Sequence, residues 1–314
     1  MILCVTLNPC LDKTLIVPPW RPGDSVRGRA MHAVVGGKGN NVARALTRLG
    51  RRARPATFFG GSVGDDCEAL LRRDDGLDPL VIPTQAPTRV ILTVRTESTA
   101  EQSAFFDPDP AVTQTEADAM LQQVEAELDA GRVSGLTLSG SSPSPATHGL
   151  YGELIRAAKS RDIPAFLDTY GPALDAVQGV WPTTIQLNRR EARGHLHDPS
   201  AGDAAIHALL DRWAGQGVAC AIVTDGPNPV LVHCRGRRYR VIPPAIDVVN
   251  PIGSGDCLLA ALVDGWIAGL SDEAMIRHAV ACAVANSLVW DAAAIEPGEV
   301  RKQEPAIIIE RLQA

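Results

Sequence analysis

Short apolar runs alternate with helical patterns along nearly all of this 314-residue chain. No other feature limits the fold as strongly. Strand-sized runs fall at Ile2–Leu7, Ala53–Phe59, Val90–Arg95, Val133–Ser139, Ala165–Asp168, Thr184–Leu187 and Ala219–Thr224. Helical patterns lie between several of them, at Gly39–Leu49, Glu116–Ala130, Leu150–Ser160 and Ala201–Gln216. In the first helix Val42, Ala45, Leu46 and Leu49 share one face, and Gly50 supplies the stop. Strand and helix in alternation predict an α/β protein with a mostly parallel sheet covered on both faces.

Two stretches break the rhythm. Thr14–Val35 and Thr88–Phe106 have no helical pattern and read as extended segments that leave the main sheet as a flap. Leu231–Cys234 and Tyr239–Ile242 flank a turn at Gly236 and read as a hairpin. Two helices, Gly255–Ala268 and Asp272–Val289, close the chain, and no repeat or linker divides it.

Composition removes several classes of function. Hydrophobic residues make up 45%, enough for a real core, and 30 basic against 36 acidic residues are interspersed at a net charge of −6. That balance argues against a nucleic acid or a membrane surface as the main partner. No run approaches the roughly 18 apolar residues of a membrane span, and the N-terminus reads as free of a leader. A cytoplasmic protein is expected. The seven cysteines are scattered without a CxxC pair and read as small buried residues. The pair His195-x-His197 reads as surface rather than as metal ligands, and the five tryptophans are too dispersed for a stacking platform.

Chemistry concentrates in two glycine turns. Asp247-Val-Val-Asn-Pro-Ile-Gly-Ser-Gly-Asp256 precedes an apolar helix. Gly253 and Gly255 allow close backbone approach, and the helix N-terminus behind them offers free N–H groups to an anion. Asp256 is either a carboxylate satisfying the helix dipole or a base beside an anion hole. No Gly-Lys-Ser/Thr follows, so this is not a Walker A loop. The second turn, Gly36-Gly-Lys-Gly-Asn-Asn-Val-Ala-Arg44, also opens a helix. A glycine turn alone is equally a structural entry turn. Asp12, shortly after the first strand, adds a carboxylate suited to sugar hydroxyls. Neither turn fits a dinucleotide fingerprint.

Taken together, Thr6-Leu-Asn-Pro-Cys-Leu-Asp12, Gly36-Gly-Lys-Gly-Asn-Asn-Val-Ala-Arg44 and Asn250-Pro-Ile-Gly-Ser-Gly-Asp256 resemble the ribokinase-like (PfkB) family of carbohydrate kinases. The resemblance runs nearly end to end and is strongest to the 1-phosphofructokinase and tagatose-6-phosphate kinase branch. It implies one three-layer α/β/α domain over residues 1–314, with a small β lid from about 12–35 and 86–107. It also implies homodimerisation through that lid. The implied reaction is ATP-dependent phosphorylation of a sugar or sugar phosphate with Mg²⁺. Asp256 would be the base, and Gly253, Ser254 and Gly255 the anion hole. Asp12, Gly37 and Asn41 would hold sugar hydroxyls. Asn188 and Glu191 match an N-x-x-E element that organises magnesium, largely through water. Thr224 and Gly226 match a nucleotide-side turn, and Asn286 an adenine-side position.

Within that branch, Arg27, Lys38, Arg89 and Ser139 match places that grip a substrate phosphate, as arginine forks suit. Arg27 reads equally as a solvated charge, Arg89 as a paired surface charge, and Ser139 as a strand end. The chain also departs from the branch. Ala104 and Phe106 stand where polar residues face the sugar phosphate, Gln186 replaces a lysine, and Pro227 and Pro229 stiffen a turn. A kinase of an unphosphorylated sugar or nucleoside, and a catalytically silent sugar-binding regulator, are the competing readings.

Overall fold

The computed structural model describes residues 1–97 and 102–313. Its strands are β1 (Ile2–Thr6), β2 (Cys10–Val17), β3 (Ala30–Gly36), β4 (Ala53–Phe59), β5 (Leu80–Pro83), β6 (Arg89–Thr96) and β7 (Gln102–Phe106). There follow β8 (Gly135–Ser139), β9 (Ala165–Asp168), β10 (Thr184–Asn188), β11 (Cys220–Asp225), β12 (Asn228–Cys234), β13 (Arg237–Ile242) and β14 (Ile308–Leu312). A ten-stranded sheet runs β14-β13-β12-β11-β10-β9-β8-β1-β4-β5. The seven strands from β11 to β5 in that order are parallel, and β12, β13 and β14 extend the sheet antiparallel.

Burial on both faces explains the near-continuous apolar strands. Along β1, Ile2 and Cys4 join a core shared with helices Lys38–Arg48, Ser254–Ile267 and Asp272–Ser287. Leu3 and Val5 point the other way, toward helices Gln114–Asp129, Leu150–Lys159 and Asp203–Gly215. The architecture is the expected three-layer α/β/α fold. All seven cysteines are buried and free. Among the described residues no helix is long and apolar enough to cross a membrane.

The two extended stretches form a separate four-stranded sheet, β3-β2-β6-β7. Residues 98–101, inside the second expected lid segment, lie outside the described residues. Register divides this sheet into two faces. Cys10 and Asp12 on β2 stand beside Arg89 and Ile91 on β6, and all four line the cleft described below. Leu11 and Val35 point oppositely into the main core.

The chain does not close with two helices. Beyond Ser287 it forms a further helix, Pro297–Gln303, and then β14, whose Leu312 pairs with Arg238. An edge strand carrying Glu310 and Arg311 exposed lacks the unbroken apolar run of the central strands. Helix Gly61–Arg73 also escapes the pattern, because it buries only Gly64, Cys67 and Leu71. His195 is not a surface residue. It ends helix Arg189–His195 and packs its ring 5.7 Å from that of Trp213, with Asp175 at 3.5 Å.

Candidate active site

The parallel strands β1, β8, β9, β10 and β11 end on one edge of the large sheet, where open α/β sheets place their ligands. Residues at or just past those ends, Asn8, Ser141, Tyr170, Asn188 and Gly226, line a cleft of about 770 Å³. The four-stranded sheet contributes Asp12, Arg89 and Ile91 to the same cleft, and the two glycine turns line it as well.

At the floor, Gly253 caps helix Ser254–Ile267 with φ 85°, a left-handed conformation. A Cβ there would lie 2.9 Å from that of Ala292, so the turn admits no side chain. Asp256 sits in the first turn of the helix, 5% exposed, and accepts a 2.7 Å hydrogen bond from Asn41 Nδ2. Burial raises its pKa to about 7, opposed by Lys38 and the Asn41 bond and reinforced by Asp168 and Glu191. A carboxyl group in that range exchanges its proton near neutral pH.

Lys38 ties the two turns to the strand ends. Its Nζ lies 2.7 Å from Asp168 and 3.3 Å from Glu191. Burial alone would discharge it, but Asp168, Glu191 and Asp256 more than compensate, so its pKa is raised and it stays cationic. Burial also raises the pKa of Glu191, with Lys38 opposing. Gln186, in the place of the expected lysine, donates to Gly255 O at 2.8 Å and to Asp168 at 3.3 Å. It thus braces the glycine turn against β10. Asn188 and Glu191 form a capping box, each side chain bonding the other's backbone N–H at 2.9 Å.

At the opposite end, Asp12 is raised to about 6 by burial, against the pull of Arg89 and Arg44. Gly37 has φ 105°, and a Cβ on it would meet Thr6 at 2.7 Å. Arg89 donates to Asp109 at 2.9 Å and to the carbonyls of Asn8 and Pro9 at 3.2 and 3.4 Å. Asn8 Nδ2 reaches the same Asp109 at 2.8 Å and Ser141 at 3.0 Å.

Most expected residues meet in this cleft: Asp12, Gly37, Lys38, Asn41 and Arg89 at one end, Gly253, Ser254, Gly255 and Asp256 at the floor, Asn188, Glu191, Thr224 and Gly226 beyond. Three do not. Arg27 is exposed on the segment between β2 and β3 and lies outside the lining. Ser139 is fully buried in β8, and Ser141 takes its place at the surface of the cleft. Asn286 is 1% exposed, and its amide is spent on the protein. It donates to Ile252 O at 2.8 Å and Ser254 Oγ at 3.0 Å, and accepts from Ala293 N at 2.8 Å. It holds the glycine turn from behind. Ala104 and Phe106 are exposed on β7 and lie outside the lining, to which the four-stranded sheet gives Cys10 and Ile91 as apolar residues. Asp168 was not singled out from sequence, although an acidic residue ending a buried parallel strand was the available signal. Asn8, Ser141 and Tyr170, each just past a strand end, were missed with it.

A family model for pfkB carbohydrate kinases matches residues 5–291, and the chain belongs to that family. It is an ATP-dependent sugar kinase, and carbohydrate kinases of this family use ATP, generally with Mg²⁺. Solved structures agree in fold. Phosphofructokinase-2 from Escherichia coli in complex with fructose-6-phosphate is 26% identical over 97% of this chain and 98% of that one, with a TM-score of 0.84. A possible 1-phosphofructokinase from Thermotoga maritima is 23% identical over 100% of both chains, with a TM-score of 0.88. A carbohydrate kinase from Agrobacterium tumefaciens is 19% identical over 99% of both, with a TM-score of 0.77.

Proposed function

We propose that this chain transfers the γ-phosphoryl group of ATP to a hydroxyl of a sugar phosphate of the fructose-1-phosphate, fructose-6-phosphate or tagatose-6-phosphate type, with Asp256 as general base. The observation that carries the reading is Asp256 itself: buried, bonded to Asn41, and beside the N–H groups of Gly253–Gly255 with a pKa near 7. The acceptor hydroxyl rests on Asp12, Gly37 and Asn41, within reach of Asp256. Asp256 takes its proton as the new P–O bond forms and the bond from the γ-phosphorus to the bridging oxygen breaks. ADP leaves with that oxygen, and the glycine amides receive the developing charge. Lys38, kept cationic by Asp168 and Glu191, holds those two carboxylates together beside the transfer. Among the described residues no group of three or more His, Cys, Asp or Glu converges as a ligand set. Magnesium bound with the nucleotide would neutralise phosphate charge, with Asn188 and Glu191 reaching it through water. Thr224 and Gly226 line the nucleotide end.

The four-stranded sheet acts as the lid that excludes water during transfer. A homodimer through this sheet belongs to the same reading, supported by Met31 and Phe105, 60% and 55% exposed on its outward face.

Arg89 is the cation placed for the acceptor's phosphate. Its pairing with Asp109 favours a second reading, because a neutralised guanidinium suits an uncharged sugar or nucleoside. ADP release with Mg-ATP over free sugars, nucleosides and hexose phosphates tests both. Turnover confined to hexose phosphates supports the first reading, and turnover confined to free sugars or nucleosides supports the second.

A further inference from the structure

Asn41 touches Asp256, but nothing in the reaction so far explains what keeps its amide pointed the right way. Asparagine can rotate its amide by half a turn at almost no steric cost, and the flipped form would present oxygen to the carboxylate. The neighbours decide the orientation. Arg44 lies one helical turn beyond Asn41, where side chains three apart share a face. Its Nη1 donates to Asn41 Oδ1 at 2.8 Å. A guanidinium only donates and an ionised carboxylate only accepts. Oxygen must therefore face Arg44, and Nδ2 must face Asp256, which it reaches at 2.7 Å.

Arg44 is itself fixed. It is 9% exposed, and Asp75 receives both Nε and Nη2 at 2.7 Å, while Val35 O accepts from Nη2 at 3.1 Å. A core staple would be complete with those contacts. The remaining nitrogen is directed at the residue that hydrogen-bonds Asp256. We propose that Arg44, anchored by Asp75, is a positioning residue that sets the Asn41 amide so that it donates to ionised Asp256. The inference rests on Asp256 as the base.

The groups facing Asp256 include Lys38 and Asn41 from helix Lys38–Arg48, Asp168 from β9 and Glu191 from helix Arg189–His195. Arg44→Met leaves all of these in place. Besides the orienting contact it removes the pair with Asp75 and a charge that lowers the Asp12 pKa, so Asn41→Ala, which keeps Arg44, is its control. The expected result is a kcat lower by about tenfold with KM for ATP unchanged, the size of one charge-assisted hydrogen bond. The acid limb of the kcat/KM profile should also move to higher pH, because ionised Asp256 has lost its donor. Asn41→Ala should show the same two changes, and the double variant should lose little more than either single one.

Unchanged kcat and an unchanged acid limb in folded Arg44→Met would overturn the inference. So would losses that multiply in the double variant, or a loss confined to KM for ATP. If Arg44→Met does not fold, Arg44→Lys decides, since lysine keeps a charge against Asp75 but has no fork to serve Asn41 as well. Full activity with an unmoved acid limb in Arg44→Lys would then overturn it. Asp256→Asn separates the two levels. Retained turnover there removes the base and this inference together, whereas lost turnover beside an unaffected Arg44→Met removes this inference alone.

Discussion

Asp256→Asn exchanges one buried oxygen for nitrogen at nearly constant volume, so it separates the charge of this residue from its packing. The replacement can still accept from Asn41 through its remaining oxygen. Folding moves the Asp256 carboxyl from its ordinary 3.8 to about 7, chiefly by burial. At about 1.4 kcal/mol per pH unit, ionising it in the folded protein costs on the order of 4 kcal/mol. Below its unfolded pKa the group is protonated in both states and costs nothing. As pH rises toward 7 the unfolded chain releases the proton first, so stability falls, and above 7 the whole cost is present. Asp256→Asn should therefore match the wild type in urea unfolding near pH 4 and exceed it by up to about 4 kcal/mol near pH 8. Turnover, followed as ADP release, should fall by about 10²–10⁴-fold, the ordinary contribution of a general base. Near-wild-type turnover refutes the base. An equal stability gap at both pH values refutes the raised pKa.

Asn286→Leu should lower stability by about 2–4 kcal/mol in urea unfolding, because Ile252 O and Ala293 N lose their buried partner, and should lower kcat through the loosened glycine turn. Unchanged kcat in the folded variant would show that the turn stands without it. Asp109→Asn should free Arg89 and raise kcat/KM for a hexose phosphate relative to the free sugar, and an unchanged ratio would show that the pair does not govern acceptor charge. His278 bonds Glu304 at 3.0 Å and Asp264 at 3.1 Å, contacts that outweigh its burial and raise its pKa. Its contribution is thus complete below its unfolded pKa and lost as pH rises through the folded one. His278→Gln should lower Tm more near pH 6 than near pH 9, and a gap that widens with pH would reverse the sign argued here.

The central sheet was legible because its strands are buried on both faces. Ala53–Phe59 and Ala165–Asp168 appear in the structure with the boundaries that their apolar runs suggest. The same physics hides β14, which buries few side chains, whereas helix Gly61–Arg73 buries only Gly64, Cys67 and Leu71, a helical spacing marked by few large apolar residues. The cleft was legible where backbone geometry demands glycine, since Gly37 and Gly253 each sit at positive φ with no room for a Cβ. Contacts between distant segments were not. Nothing near Lys38 in sequence announces Asp168 or Glu191, and Gln186 reaches Gly255 across 69 positions.

The misplaced site residues follow a rule of direction. In helix Asp272–Ser287 the cleft is lined by Val280, Ala283, Val284 and Ser287, a stripe at the spacing of one helical face. Asn286 falls off that stripe, so its amide turns inward and holds the glycine turn from behind rather than meeting a nucleotide. Ser139 belongs to β8 itself, where both faces are covered and no position reaches solvent. Two residues later the chain has passed over the edge of the sheet, and Ser141 can point into the cleft. In this fold a polar residue inside a covered strand braces the site, whereas the first polar residues past the strand's carboxyl end can touch its ligand. Asn8, Ser141 and Tyr170 obey the second half of that rule, and Asp168, the last residue of covered β9, obeys the first by bracing Lys38 and Gln186.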